Sequence, residues 1–280
     1  MSVETGILAR PTFIVIGTMK GGTTALWQYL RRHPQVFMPE AKETDFFAER
    51  FDQGLDWYAE HFLGSDDAVI AYGEASPNYT RHPLFGGVPE RIARHLPDVR
   101  LIYVVRDPID RIQSHYLHRL RRGREWRPIE KALFADPDYL DTSRYAMQID
   151  RYLEHVDRDR LLVITSDALR GDREATMRTV FRFIGVDDGW TSPVLGREFH
   201  KNAEKQAMKP IARRVRAVPG LRSIAHLAPM KLKRQMLGRI DPAEAAISNH
   251  LRGRIEDALR HDVASLRPYL GPTFDAWGIA

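Results

Sequence analysis

Hydrophobic and polar positions along the chain follow two alternating periods. Short apolar, β-branched runs recur at Thr12–Thr18 (TFIVIGT), Ala68–Pro77 (AVIAYGEASP), Arg100–Pro108 (RLIYVVRDP) and Asp159–Leu169 (DRLLVITSDAL). Each predicts a buried strand. The segments between them carry apolar residues at helical spacing. Leu26, Tyr29 and Leu30 predict a helix directly after the first strand, ended by Pro34. PERIARHLPD predicts a short helix with Pro89 near its start. DPIDRIQSHYLHRLRRG predicts a longer one, with Asp107 as N-cap, Pro108 at the first helical position and Gly123 beyond the end. TSRYAMQIDRYLEHV and REATMRTVFRFIGV complete the series. Strands alternating with helices predict an α/β fold, a parallel sheet flanked by helices with right-handed crossovers.

The strand pattern stops near residue 195. Lys205–Arg239 holds ten lysines and arginines, no acidic residue, and Pro210, Pro219 and Pro229. It reads as irregular helices or a basic flap. DPAEAAISNHLRGRIEDALRHDVASLRPYLG predicts a helical C-terminal region with Asp241 as N-cap and Pro242 following. No internal repeat or low-complexity linker divides the chain. A single domain over residues 1–280 is the simplest organisation, with a core at about 12–195 and the flap and C-terminal helices at about 196–280.

Composition narrows the functional classes. With 280 residues and 43% hydrophobic content the chain can bury a sizeable core. It has no cysteine, which excludes disulfides, thiolate metal sites and a cysteine nucleophile. It has no apolar run of about 18 residues, and MSVETGILARPTF lacks the pattern of a secretory signal. The expectation is a cytoplasmic protein without stable membrane insertion. The formal net charge of +5 suits an anionic ligand. The basic stretch carries no recognised nucleic-acid motif or regular aromatic interleaving, so no nucleic-acid partner is expected.

Candidate chemistry concentrates in the strand–loop–helix FIVIGTMKGGTTALWQYL, Phe13–Leu30. Gly17, Gly21 and Gly22 permit a sharp turn and close approach of an anion. The amides of Gly22, Thr23 and Thr24 would face outward at a helix N-terminus, where the helix dipole favours negative charge. The threonine hydroxyls and Lys20 add donors. Gly17, Gly22 and Thr24 fit the phosphate-loop spacing of ATPases, but Thr23 stands where their lysine belongs and the lysine lies inside the loop at Lys20. The dinucleotide-binding G-x-G-x-x-G pattern is also absent. A second anion site is predicted where RLIYVVRDP meets its helix. Ligands in open α/β sheets bind beyond the carboxyl ends of the strands, so Arg106 belongs on the same edge as the glycine loop, with Arg111 and Ser114 one and two turns further on. A capping and ion-pair role for Arg106 and Asp107 is the structural alternative. Two anion sites on one edge point to a ligand with two separated phosphate-like groups.

KGGTT after a strand, followed by RDPIDRIQSHY, resembles the two donor-binding signatures of the sulfotransferases, closest to the heparan-sulfate type and its bacterial relatives. The resemblance covers about residues 12–195. It implies 3′-phosphoadenosine 5′-phosphosulfate as donor cosubstrate and no metal. Lys20, Gly21, Gly22, Thr23 and Thr24 would hold the 5′ phosphosulfate, and Arg106 and Ser114 the 3′ phosphate. Lys20 would also neutralise the leaving oxygen, a task suited to a mobile point charge. Lys201, in EFHKNAEK, falls where relatives close a basic loop over the donor.

The resemblance implies a base in PEAKETDFF: Glu43, a few residues before Phe46 and Phe47, with Glu40 and Asp45 as competitors. A glutamate of ordinary pKa near 4.3 is a weak base, so the role requires burial or orientation onto the acceptor hydroxyl. The small-molecule branch of the family uses histidine, and His33, His61, His82 and His115 do not match its pattern. GEASPNYT corresponds to an acceptor-side segment, with Ser76, Asn78 and Tyr79 as lining candidates. Relatives often carry a lysine where this chain has Ala75, which counts against a sulfated-glycan acceptor. Phe46, Phe47 and Tyr79 are expected aromatic contacts for a carbohydrate, glycolipid or small natural product. Tyr145 is expected in the core or against the donor, and Trp27, Trp57 and Trp277 in the core. The expected reaction is sulfuryl transfer to a hydroxyl, less readily to an amine. The alternatives are a phosphate-loop kinase, which requires magnesium and ATP, and a non-enzymatic nucleotide- or polyanion-binding module, indifferent to Glu43→Gln.

Overall fold

The computed structural model describes residues 10–64, 66–196, 207–208, 237–238 and 245–279. The elements run β1 (Phe13–Gly17), α1 (Thr23–Leu30), β2 (Val36–Phe37), α2 (Phe46–Glu49), α3 (Gly54–Glu60), β3 (Ala71–Ala75) and α4 (Val88–His95). They continue with β4 (Arg100–Val105), α5 (Pro108–Arg121), α6 (Ile129–Ala135), α7 (Asp138–Asp141), α8 (Tyr145–Leu153), β5 (Leu161–Thr165), α9 (Ser166–Gly171) and α10 (Arg173–Ile184). The short pair β6 (Ala207–Met208) and β7 (Leu237–Gly238) and the helices α11 (Asn249–Ala264) and α12 (Arg267–Leu270) complete the series. The described residues fall into two units. One lies within 10–107, 144–196 and 260–279, the other within 108–143 and 201–259.

The first unit is built on a five-stranded sheet of order β2-β3-β1-β4-β5, parallel throughout. Its side chains alternate between two cores, as strands covered on both faces require. Phe13, Val15, Ile102, Val104 and Ile164 join α1 and α10 on one face through Leu26, Leu30, Met177 and Phe181. Ile14, Ile16, Leu101, Tyr103, Val105, Leu161 and Val163 face the other way, onto Ile92 of α4 and Ile149 of α8. The chain leaves β1 toward β2 and β3 on one side and resumes at β4 on the other. The carboxyl ends of β1 and β4 therefore form the switch point at which such sheets bind ligands. All four predicted strands are present, together with the two-residue edge strand β2. The α/β class and the parallel sheet flanked by helices are as expected.

The second unit holds α5, α6, α7 and the antiparallel β6–β7 pair, which the sequence pattern did not announce. Ile112, Tyr116 and Leu120 of α5 and Ala132 and Leu133 of α6 are buried. Arg111 is fully buried as well. Its Nε donates to Ser143 Oγ at 2.6 Å, and it also donates to the carbonyl of Tyr139. This guanidinium supports the packing of its own unit.

The C-terminal helix begins later than expected. Residues 246–248 are not helical, and Ser248 Oγ accepts from the Leu251 amide at 3.2 Å, so Ser248 serves as the cap of α11. Asp241 and Pro242 lie outside the described residues. Leu251, Ile255, Leu259 and Val263 give α11 a buried stripe at four-residue intervals.

Candidate active site

The glycine loop forms from β1 into α1. Thr18 N–H donates to the Val104 carbonyl at 2.8 Å, and Gly21 N–H donates back to the Thr18 carbonyl at 2.9 Å. The turn is thereby pressed against β4. A Cβ on Gly21 would fall 2.7 Å from the Val104 carbonyl oxygen and 2.6 Å from Thr18 Cγ2, so only glycine fits. Gly22 takes φ 111° at the N-cap of α1, conformational space that side chains rarely enter. Having no side chain, it supplies no side-chain cap. The first N–H groups of α1 have no intrahelical acceptor, so an anion at this point meets backbone donors and the positive end of the helix dipole. Lys20 adopts φ 69° and is half-buried; Thr23 is buried and Thr24 is exposed.

Arg106 follows β4 on the same edge. Its guanidinium reaches the carbonyl of Lys20 at 3.5 Å, which brings the two predicted anion-binding segments together. The Arg106 carbonyl accepts from Tyr145 Oη at 2.8 Å. Tyr145, fully buried and edge-on to Tyr103, thus fixes the backbone that carries the arginine. Ser114 lies half-buried on α5 of the second unit, and Lys201 lies outside the described residues.

The acidic loop lies beside the glycine loop through a residue the sequence reading did not single out. Lys42 Nζ stands 2.5 Å from Glu43 Oε1, 3.5 Å from Thr23 Oγ1 and 3.5 Å from the Ala75 carbonyl. The ammonium is mostly enclosed, whereas Glu43 is 44% exposed. The Lys42 carbonyl accepts from Ala75 N–H at 3.3 Å, docking the loop on the end of β3. Of the competing acids, Glu40 is exposed. Asp45 has its pKa pushed up to about 6, by burial first and then by Glu43, Glu49 and Glu74. Its Oδ1 is buried without a hydrogen-bond partner.

Beneath this loop sits Glu74, fully buried on β3. Its Oε1 accepts from Tyr58 Oη and Tyr79 Oη, both at 2.8 Å. Its Oε2 accepts from Thr44 Oγ1 at 2.5 Å and Ser76 Oγ at 2.7 Å. Burial, reinforced by the Glu74 charge, holds Tyr58 and Tyr79 well above the ordinary tyrosine range.

The expected acceptor wall changes accordingly. Phe46, Phe47 and Tyr79 are core residues, not surface contacts. Asp45 takes a left-handed φ of 51°, so α2 turns inward and both phenylalanines pack on Tyr58. Ser76 is likewise buried on Glu74. Asn78 remains half-buried, donating to Glu49 Oε1 at 3.1 Å and accepting from Arg81. Trp27 is buried; Trp57 and Trp277 are partly buried. His33 is a core residue between Phe181 and Trp190, with Nε2 2.9 Å from the Asp187 carbonyl.

Residues 10–212 match the model of the sulfotransferase domain family. This is most of the chain, and the chain belongs to that family. It is similar to human heparan sulfate glucosamine 3-O-sulfotransferase 3A1, 32% identical over 195 residues that cover 66% of this chain and 46% of that protein. It is also similar to the membrane-associated sulfotransferase kil1 of Dictyostelium discoideum, 40% identical over 116 residues, 41% of this chain and 24% of that one. The chain thus spans less than half the length of these relatives. A sulfotransferase structure from Alicyclobacillus acidocaldarius shares the fold with a TM-score of 0.70 at 23% identity, covering 96% of this chain and 99% of that one.

Proposed function

We propose that the protein is a sulfotransferase that moves a sulfuryl group from 3′-phosphoadenosine 5′-phosphosulfate to an acceptor hydroxyl, with Glu43 as base. The observation that carries this reading is Lys42, whose one ammonium reaches both Glu43 and Thr23. It puts the candidate base beside the loop that would hold the activated sulfate.

The residues present suit such a donor. The glycine turn packs against β4 and leads straight into the N-terminus of α1, and Lys20 and Arg106 supply cations of different geometry. Lys20 is a point charge that can follow a developing negative charge. Arg106 can hold a phosphate by paired hydrogen bonds. The donor supplies an electrophilic sulfur with a phosphate leaving group. Glu43 takes the proton of the acceptor hydroxyl as its oxygen bonds to sulfur. The S–O bond to the phosphate breaks, and Lys20 stabilises the electron pair left on that oxygen. Lys42 holds the exposed Glu43 carboxylate beside Thr23 of the donor loop, and the proposed role has its other oxygen meet the acceptor hydroxyl. Ser114 and Lys201 stay in this proposal on the motif alone.

The acceptor side is polar at its accessible positions, with the Phe46–Phe47 pair turned inward. A carbohydrate, glycolipid or hydroxylated natural product fits that chemistry. Glu43→Gln should retain donor binding and lose transfer, measured as donor consumption with a panel of hydroxylated acceptors. Transfer at the unaltered rate would remove Glu43 from the mechanism.

A further inference from the structure

We propose that Glu74 is the positioning residue for the base loop, a role that rests on the reading of Glu43 as base. Its carboxylate dictates which way three hydroxyl groups point, and those hydroxyls hold the backbone that follows Glu43.

A hydroxyl has one proton to donate. Tyr58, Tyr79, Thr44 and Ser76 all direct theirs at Glu74, which has no ion-pair partner among the described residues. All four therefore present only lone pairs on their other side, and three of them meet a backbone amide there. Asp45 N–H donates to Ser76 Oγ at 3.0 Å, Phe46 N–H to Thr44 Oγ1 at 3.3 Å and Phe47 N–H to Tyr79 Oη at 3.2 Å. These consecutive amides open α2, where a helix offers no acceptor of its own. One carboxylate thus satisfies three amides indirectly and secures a turn in which Asp45 holds a left-handed φ of 51°. Glu43 lies between two anchors, the Lys42 carbonyl bonded by the Ala75 amide and the Thr44 hydroxyl bonded to Glu74. Its backbone is fixed on both sides while its side chain stays accessible.

Glu74→Gln conserves shape but replaces one accepting oxygen with an NH₂ that donates, so at least two hydroxyls lose their direction. The first readout is hydrogen exchange of the Asp45, Phe46 and Phe47 amides, which does not depend on any assay of transfer. The variant should exchange these amides at least about tenfold faster, with β1 and β4 amides unchanged. Unaltered exchange, or loss of protection across the sheet, would overturn the proposal. The second readout is a cycle with Glu43→Gln. Glu74→Gln alone should lower kcat about ten- to a hundredfold, since misplacement by about an ångström has that consequence. Affinity for adenosine 3′,5′-bisphosphate should stay within about twofold. In the Glu43→Gln background it should add no further loss; an independent, multiplicative loss would overturn action through Glu43. Full transfer by Glu43→Gln alone would refute the base assignment instead, leaving the exchange result to decide on the loop. Should Glu74→Gln fail to fold, Ser76→Ala removes one relay and should expose the Asp45 amide alone; no change there would equally count against the proposal.

Discussion

Lys42 Nζ lies 2.5 Å from Glu43 Oε1 and 3.5 Å from Thr23 Oγ1, so one ammonium joins the acidic loop to the glycine loop. Lys42→Met keeps the aliphatic stem and removes that link. A partly buried, charge-assisted contact contributes about 1.5–3 kcal/mol. The variant should therefore transfer about tenfold or more slowly, because about 1.4 kcal/mol corresponds to one decade in rate. Single-turnover kinetics at saturating donor checks this. An unchanged rate would show that the ion pair is incidental.

Gly21→Ala should damage both the fold and the donor site. The added methyl would meet the Val104 carbonyl and Thr18 Cγ2 inside contact distance. The turn cannot retreat, because the Thr18 amide is bonded to the same carbonyl. Overpacking of this kind costs about 1–3 kcal/mol. Thermal unfolding should show a lowered Tm, and donor binding should weaken with it.

Lys20 and Arg106 should separate by ligand. Lys20→Ala should weaken donor binding and also slow turnover. Arg106→Ala should weaken adenosine 3′,5′-bisphosphate but leave AMP almost unaffected, since the proposed task of Arg106 is the 3′ phosphate. Calorimetry of both variants with both nucleotides tests this. Equal losses for the two nucleotides in the Arg106 variant would contradict the assignment.

Asp45 gives stability a defined pH dependence. Its pKa is raised from 3.8 to about 6, chiefly by burial. Between these values the folded protein holds a proton that the unfolded chain has lost, so this group's contribution falls as pH rises and reaches its floor above about pH 6. Asp45→Asn should abolish that slope. With allowance for solvent screening, it should add about 1–2 kcal/mol at pH 7 relative to the natural protein. Near pH 4 it should add little. Asparagine tolerates the left-handed backbone as aspartate does. Urea unfolding of both proteins from pH 4 to 7 measures the difference, and parallel curves would contradict it.

The sheet was legible because both its faces are covered. Alternate residues of β1 and β4 enter two cores, and a strand apolar on both sides reads as an unbroken run such as FIVIG or LIYVV. The glycine loop was legible because glycine spacing and an adjacent helix start are local features. The loop of the proposed base was only half legible. KETDFF shows the acid, but no local signal announces that Asp45 takes a positive φ, and that one torsion turns Phe46 and Phe47 from acceptor candidates into core. Glu74, Ser76 and Tyr79 looked like a strand running into a surface loop. Their joint burial depends on Tyr58 and Thr44, 16 and 30 residues away from Glu74, and residue spacing carries no sign of such a cluster. Ser248 precedes helical sequence with cap chemistry, but only the observed Leu251 amide contact shows that it caps α11.

The central claim is a donor site made by the Lys20 loop together with Arg106. Calorimetric titration with adenosine 3′,5′-bisphosphate, with AMP and magnesium–ATP alongside, tests it most directly. Binding should be tight, require the 3′ phosphate and be indifferent to magnesium. Preference for magnesium–ATP, or no binding of the bisphosphate, would contradict it.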